Sequence, residues 1–340
     1  MIKRYISLII VVLLLLLSGC ENIVNNNEDS FPSKDLNGVI QWGAGGGTDI
    51  ISRSLTPFVE QNLGKSIILQ NKTGATGAIA TQFVHDQASD GYNLLYGAEN
   101  PQLYQVMGIS QLSYDDFEPI ILIGRETAVV VVREDSEYKS IEELLLDAKS
   151  NPDKIKMGTT GPGGLPFVVA SLFKSVDEVT FNQIPFDGDG PVVTALLGGH
   201  VDFTITKLSA VKELLRNEDV RVISSISNDN IPGYEEVVPI GVVRDEYSKY
   251  LPWGPFYGVY VKKDTPKEIV DVLVKAYKEA YDRDEFQIFM SDNAIIPMGI
   301  SGEEAYEFLD AWKRVSSWLL FDAGGTEISP EEFDIKRIVE

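Results

Sequence analysis

Apolar and polar positions in this chain follow two rhythms in turn. Short apolar runs of strand character give way to glycine-rich stretches, and these lead into segments whose apolar residues recur at helical spacing. The first such unit runs through Trp42-Gly43-Ala44-Gly45-Gly46-Gly47-Thr48-Asp49 into Ile50-Ile51-Ser52-Arg53-Ser54-Leu55. Thr48 and Asp49 supply the helix-start signal, and Gly64 after Leu63 the stop. A second strand at 66–70 is followed by Asn71-Lys72-Thr73-Gly74-Ala75-Thr76-Gly77-Ala78, and a third at 93–96 lies between Asp90-Gly91-Tyr92 and Gly97-Ala98-Glu99-Asn100-Pro101. The plan recurs at Met157-Gly158-Thr159-Thr160-Gly161-Pro162-Gly163-Gly164, and again at Gln183-Ile184-Pro185-Phe186-Asp187-Gly188-Asp189-Gly190-Pro191. Pro191 suits a first helical position, and Gly198-Gly199 ends the helix predicted over 192–197.

Between and after these units lie two strong apolar runs over 120–132, a capping box at Ser140-Ile141-Glu142-Glu143 opening a helix over 142–149, and a strand over 201–205 leading into Thr206-Lys207-Leu208-Ser209. An aromatic-rich strand follows at 253–261. Thr265-Pro266-Lys267-Glu268 reads as a second capping box, with Ile269, Val272, Leu273, Ala276, Tyr277 and Ala280 on one helical face. Ser301-Gly302-Glu303-Glu304 opens a last helix carrying Leu309, Trp312, Val315 and Trp318, aromatics that read as core. Strands alternating with helices predict an α/β protein. Loops of this kind leave backbone N–H groups free at a helix N-terminus, where the dipole favours an anion and glycine lets a ligand approach the backbone. Loops on successive units can converge at the carboxyl edge of one sheet.

The N-terminus has a different character. Lys3 and Arg4 precede an apolar stretch over 6–17, broken only by Ser7, and Leu17-Ser18-Gly19-Cys20 follows. This resembles a bacterial lipoprotein signal over 1–19, with Cys20 lipidated, and the stretch is short of the roughly 20 residues a spanning helix needs. The polar segment to residue 37, including Asn25-Asn26-Asn27-Glu28-Asp29-Ser30, reads as a flexible tether. The expectation is a protein in the cell envelope, outside the cytoplasmic membrane and held by lipid alone.

With a net charge of −22, no basic stripe is present to neutralise phosphates, which argues against nucleic acid. The glycine spacing is neither G-x-G-x-x-G nor a phosphate loop. His85 and His200 are the only histidines and Cys20 the only cysteine; there is no Gly-x-Ser-x-Gly elbow and no paired metal-ligand spacing. No catalytic residue, cofactor or metal is therefore expected.

Trp42, Gly45, Gly46, Asp49 and Arg53 form a Gly-Gly-x-x-Asp-x-x-x-Arg pattern that resembles the first motif of the receptors of tripartite tricarboxylate transporters, the Bug family. The resemblance continues through Asn71-x-x-Gly74-Ala75-x-Gly77, Asp90-Gly91-Tyr92, Asn100-Pro101, Asp116-Phe117, Phe186-x-Gly188-x-Gly190-Pro191, Leu196-Leu197-Gly198-Gly199-x-Val201-Asp202, Pro232-Gly233-Tyr234, Trp253-Gly254 and Thr265-Pro266. It implies a type II periplasmic-binding-protein fold: two α/β lobes joined by two crossing strands around one cleft, with 38–135 plus 256–340 in the first lobe and 136–255 in the second. It also implies a monomer serving integral membrane transporter subunits or, alternatively, a sensor kinase. Gly164, Phe167, Ala80, Asp187, Asp189 and Lys207 depart from the family's usual residues, so the ligand does not carry over with the fold.

The ligand-binding candidates are Gly45, Gly46, Gly47, Thr48 and Asp49 in the first loop; Gly74, Ala75, Thr76 and Gly77 in the second; Asn100; Thr160, Gly161, Gly163 and Gly164 in the third; Asp187 and Gly188 in the fourth; and Thr206 with Lys207. N–H groups of the first three loops are expected to hold carboxylate oxygens, and Asp49 is expected mainly to start its helix. A small di- or tricarboxylate is the expected ligand, Lys207 pairing a distal carboxylate; an acidic amino acid, its ammonium held by Asp187 and Asp189, is the alternative.

Overall fold

The computed structural model describes residues 31–251 and 253–337; Cys20 and most of the tether lie outside them. From the N-terminus, β1 (Leu36–Ile40) leads to α1 (Gly47–Leu63), β2 (Ile67–Asn71) to α2 (Ala78–His85), and β3 (Asn93–Ala98) to the long β4 (Phe117–Arg125). Then come β5 (Ala128–Arg133), α3 (Ile141–Ser150), β6 (Lys156–Thr159), α4 (Leu165–Asp177), β7 (Asn182–Pro185), α5 (Asp189–Leu197), β8 (Phe203–Lys207), α6 (Leu208–Arg216) and β9 (Val220–Ser225). The chain finishes with β10 (Phe256–Lys262), α7 (Lys267–Tyr281), α8 (Asp284–Asp292), β11 (Ile296–Ile300) and α9 (Glu303–Asp322).

These strands form two sheets. The first has the order β11-β4-β10-β3-β1-β2 and the second β7-β6-β8-β5-β9. In the first, β1 pairs in parallel with β2 and β3, while β10 is antiparallel to both β3 and β4. In the second, β6 is parallel to β7 and β8, and β5 is antiparallel to β8 and β9. The second sheet thus comes from one continuous segment, and the first from segments on both sides of it.

The first crossing between sheets is only Glu126-Thr127, since β5 already belongs to the second sheet; the sequence placed a boundary at 135. The reason is visible in β5, whose valines are buried on both faces. Val129 and Val131 pack with Leu196, Val201 and Leu208, while Val130 and Val132 join the larger core with Phe203 and Ile205. A strand covered on both sides shows no alternation, so it reads as a continuation of the equally buried β4. The return crossing passes through Trp253-Gly254-Pro255 into β10, and the two crossings are tied together where Glu126 N–H donates to the Pro255 carbonyl at 2.9 Å. A Cβ at Gly254 would collide with the Glu126 carbonyl, so glycine is required there. From α9, Trp312 Nε1 donates to the Gly254 carbonyl at 3.1 Å and Ser316 Oγ accepts from Trp253 Nε1 at 2.9 Å, which pins this crossing.

The capping box at Ser140 forms as expected on the serine side, its hydroxyl accepting from Glu143 N–H at 3.4 Å. The one at Thr265 does not: its hydroxyl donates back to the Lys262 carbonyl at 2.7 Å, and Pro266 occupies the cap position of α7 without a side-chain bond. Neither α8 nor β11 has a predicted counterpart.

Candidate functional site

The four glycine loops lie at the carboxyl ends of β1, β2, β6 and β7, where each strand hands over to a helical turn. In the first loop the Asp49 carboxylate is the organiser. It accepts from the Gly45 N–H at 3.0 Å, from Arg53 Nε at 2.8 Å and from Asn71 Nδ2 at 2.8 Å, and Asn71 also reaches the Trp42 carbonyl. Burial pushes this carboxyl up, but the bonds from Gly45, Asn71 and Arg53 outweigh it and hold it below its ordinary value. Asp49 therefore ties the loop to its own helix and to the end of β2. Gly47 is fixed by crowding, because a Cβ there would meet the Tyr257 hydroxyl and lie 3.2 Å from Lys207 Cδ. Gly45 is exposed, Gly46 is buried with an ordinary extended backbone, and the buried Thr48 hydroxyl has no partner.

The second loop is wound left-handed, with positive φ at Gly74, Ala75, Thr76 and Gly77 in succession. Two of these are not glycine, a backbone costing on the order of 1–3 kcal/mol per residue that its surroundings must hold. They do so through Tyr104, whose hydroxyl donates to the Thr76 carbonyl at 2.9 Å, and through the Thr76 hydroxyl, which donates to the Pro162 carbonyl of the third loop at 3.0 Å. Beside it, Asn100 Nδ2 donates to the Gly163 carbonyl at 3.0 Å. Loops from the two sheets thus touch directly. In the third loop Gly161 and Gly163 have positive φ, and Gly164 packs so closely on the Thr160 hydroxyl that a side chain there would collide with it.

The fourth loop faces the first. Trp42, Gly43, Gly46, Gly47 and Thr48 line one side of a cavity of about 10 Å³, and Asp187, Gly188, Asp189 and Pro191 the other; that is room for one water at most. Asp187 is exposed. Asp189 is buried in the first turn of α5, and its carboxylate pairs with Lys207 Nζ at 2.8 Å. Two larger depressions, of about 580 and 560 Å³, lie away from the loops, one beside β5 and α3 and the other behind the crossings.

Around Lys207 the structure gathers residues the sequence did not single out. Glu99, at the end of β3, and Glu126, in the first crossing, are each 3% exposed. Glu126 accepts from the Tyr257 hydroxyl and from the Ser209 N–H at 3.3 Å. Burial pushes both carboxyls up, opposed in each case by the Lys207 ammonium and by hydrogen bonds. Burial by itself would lower Lys207, but Asp189, Glu99 and Glu126 together raise it. One buried cation therefore serves three buried carboxylates. The only hints in the sequence were an acid placed directly after an apolar strand, at Glu99, and one breaking the 120–132 run, at Glu126.

The pattern that defines the tripartite tricarboxylate transporter family receptor matches residues 51–317. The chain belongs to that family. Among relatives, protein BugT of Bordetella pertussis is 26% identical over 260 residues, covering 75% of this chain and 78% of BugT. The structure of the periplasmic binding protein BugD superposes with a TM-score of 0.80 at 25% identity, covering 87% of this chain and 99% of BugD. MatC of Rhodopseudomonas palustris, solved with bound malate, superposes with a TM-score of 0.77 at 23% identity, covering 84% of this chain and all of MatC (100%). The receptor thus has the periplasmic-binding-protein fold, and among the described residues no helix is long and apolar enough to cross a membrane.

Proposed function

We propose that this receptor captures a small carboxylate, a di- or tricarboxylate or an acidic amino acid, between two lobes and presents it to the integral membrane subunits of a tripartite tricarboxylate-type transporter. On this reading the protein is a monomer outside the cytoplasmic membrane, anchored by lipid on Cys20, and it catalyses no reaction. The observation that carries the proposal is the facing of the first and fourth glycine loops, one from each sheet, across a single small cavity beside a buried lysine. Two helix N-termini meet there with N–H groups suited to carboxylate oxygens. The malate bound by MatC, a protein of the same fold, is of the proposed chemical class.

The test is thermal denaturation and calorimetry with succinate, citrate, glutamate, aspartate, an aromatic acid and a neutral sugar. A ligand at 100 times its Kd stabilises by about 2.7 kcal/mol, an easily read shift in Tm. Gly46→Val puts an isopropyl group over the loop N–H groups at a backbone that valine can adopt, its nearest contact being the Gly43 carbonyl at 3.3 Å. It should abolish the shift while leaving unfolding cooperative. Tight binding of the sugar and of no acid would overturn the proposal.

A further inference from the structure

We propose that the carboxylate taken by this cleft also carries an ammonium group, and that Glu99 selects it. The proposal rests on the carboxylate reading above and narrows it to amino acids. Among the described residues, five of the ten buried polar side-chain atoms without a hydrogen-bond partner belong to the loops and strand ends of this region: Thr48 Oγ1, Glu99 Oε2, Asn100 Oδ1 and Thr206 Oγ1, on side chains at most 3% exposed, and Trp42 Nε1. Groups buried in this way are normally satisfied, so a concentration of orphans marks a place where a ligand's groups complete the set.

Their chemistry limits the ligand. Asn100 Nδ2 is committed to the Gly163 carbonyl, which fixes the amide, and Oδ1 can only accept. The Glu99 carboxylate, its neighbour at the end of β3, is likewise an acceptor in its ionised form, the form an ammonium beside it favours. A bare dicarboxylate at neutral pH brings acceptors alone and leaves Asn100 Oδ1 and Glu99 Oε2 unpaired. Charge points the same way. Lys207 is bonded to Asp189, and Glu126 has the Tyr257 hydroxyl and the Ser209 N–H. Glu99 alone of the three carboxylates has no side-chain partner, only the backbone N–H groups of Phe256 and of Glu99 itself, although Lys207 and Asp189 are close enough for their charges to act on it. An ammonium, with three N–H donors and a full charge, meets both needs. Gly47 packs on Lys207 and Tyr257, so the loop proposed to hold the ligand's carboxylate starts beside this cluster.

The experiment compares matched ligands on the full chain by calorimetry: succinate, malate and aspartate, then glutarate and glutamate. A charged hydrogen bond left unmade costs at least about tenfold in affinity, so the amino acid of one set should bind at least tenfold more tightly than its bare diacid and than malate. Glu99→Gln should reduce that preference tenfold or more while leaving the diacid unchanged or improved. If that variant melts early, Glu99→Asp, which keeps the charge but withdraws it, should shrink the preference without abolishing it. A diacid or malate binding as tightly as the amino acid, or a preference unmoved by either substitution, overturns the inference while sparing the carboxylate reading. No heat from any of the five overturns the inference, and the carboxylate reading falls with it only if citrate and the aromatic acid also fail to bind.

Discussion

At the scale of single residues, the charged pair of the first motif, Asp49 and Arg53, is scaffold. Asp49 and Arg53 hold one another and Asn71, and the carboxylate is spent on the Gly45 N–H. In Asp49→Asn the amide turns a donor toward groups that are themselves donors, which should cost about 1.5–3 kcal/mol at neutral pH. The folded carboxyl titrates below the ordinary 3.8, so its contribution is fully present above that value and is lost as pH falls from there through the folded value. Urea unfolding of the two proteins should accordingly diverge at neutral pH and converge in acid below 3.8. A gap that persists unchanged in acid would assign the loss to packing. This much of the site was legible as residue types but not as roles: the Asp-x-x-x-Arg spacing announces an i,i+4 pair, whereas the bonds to Asn71 and Gly45 exist only once β1 and β2 lie side by side. Glu99 and Glu126 had no legible role at all, because in a chain with 51 acidic residues a single Glu after a strand carries no local pattern.

At the scale of elements, the loops are where local and tertiary demands meet. Thr76 keeps a left-handed backbone unusual for a β-branched residue, at φ 54, and its hydroxyl links the second loop to the third. Thr76→Val keeps the shape and the strain but removes that link. One neutral hydrogen bond contributes about 0.5–1.5 kcal/mol, so ligand affinity should fall roughly three- to tenfold, whereas Thr76→Ser, which retains the hydroxyl, should bind like the parent. Equal binding by the valine and serine variants would detach this contact from ligand capture. Strand-to-loop handovers of this kind were readable because glycine runs break periodicity sharply. The crossing at Glu126-Thr127 was not, since β4 and β5 are both covered on two faces and their apolar runs merge. The box at Thr265 failed for a related reason: a threonine followed by proline and, later, glutamate has the right spacing, but the nearby Lys262 carbonyl captures the hydroxyl first.

At the scale of the molecule, the proposed capture between two lobes makes closing the cleft a balance shared between ligand and protein. Two side-chain bonds already join loops of different sheets, Thr76 to Pro162 and Asn100 to Gly163, and together they favour the closed arrangement by about 1–3 kcal/mol. Apparent affinity equals the intrinsic affinity scaled by the fraction of molecules able to bind in closed form. A Thr76→Val, Asn100→Ala double variant should therefore bind a bare diacid, which makes no use of Asn100 Oδ1, roughly 5- to 150-fold more weakly, mostly through faster dissociation, yet reach the same compact form at saturation. Small-angle scattering separates these effects. The parent should contract on adding ligand, since a ligand shifts the balance only by binding the closed form better. The double variant should start at least as expanded, need more ligand, and end at the parent's radius of gyration. A parent whose scattering is identical with and without saturating ligand would rule out lobe closure, and the weaker binding of the variant would then have to come from contacts within the loops themselves.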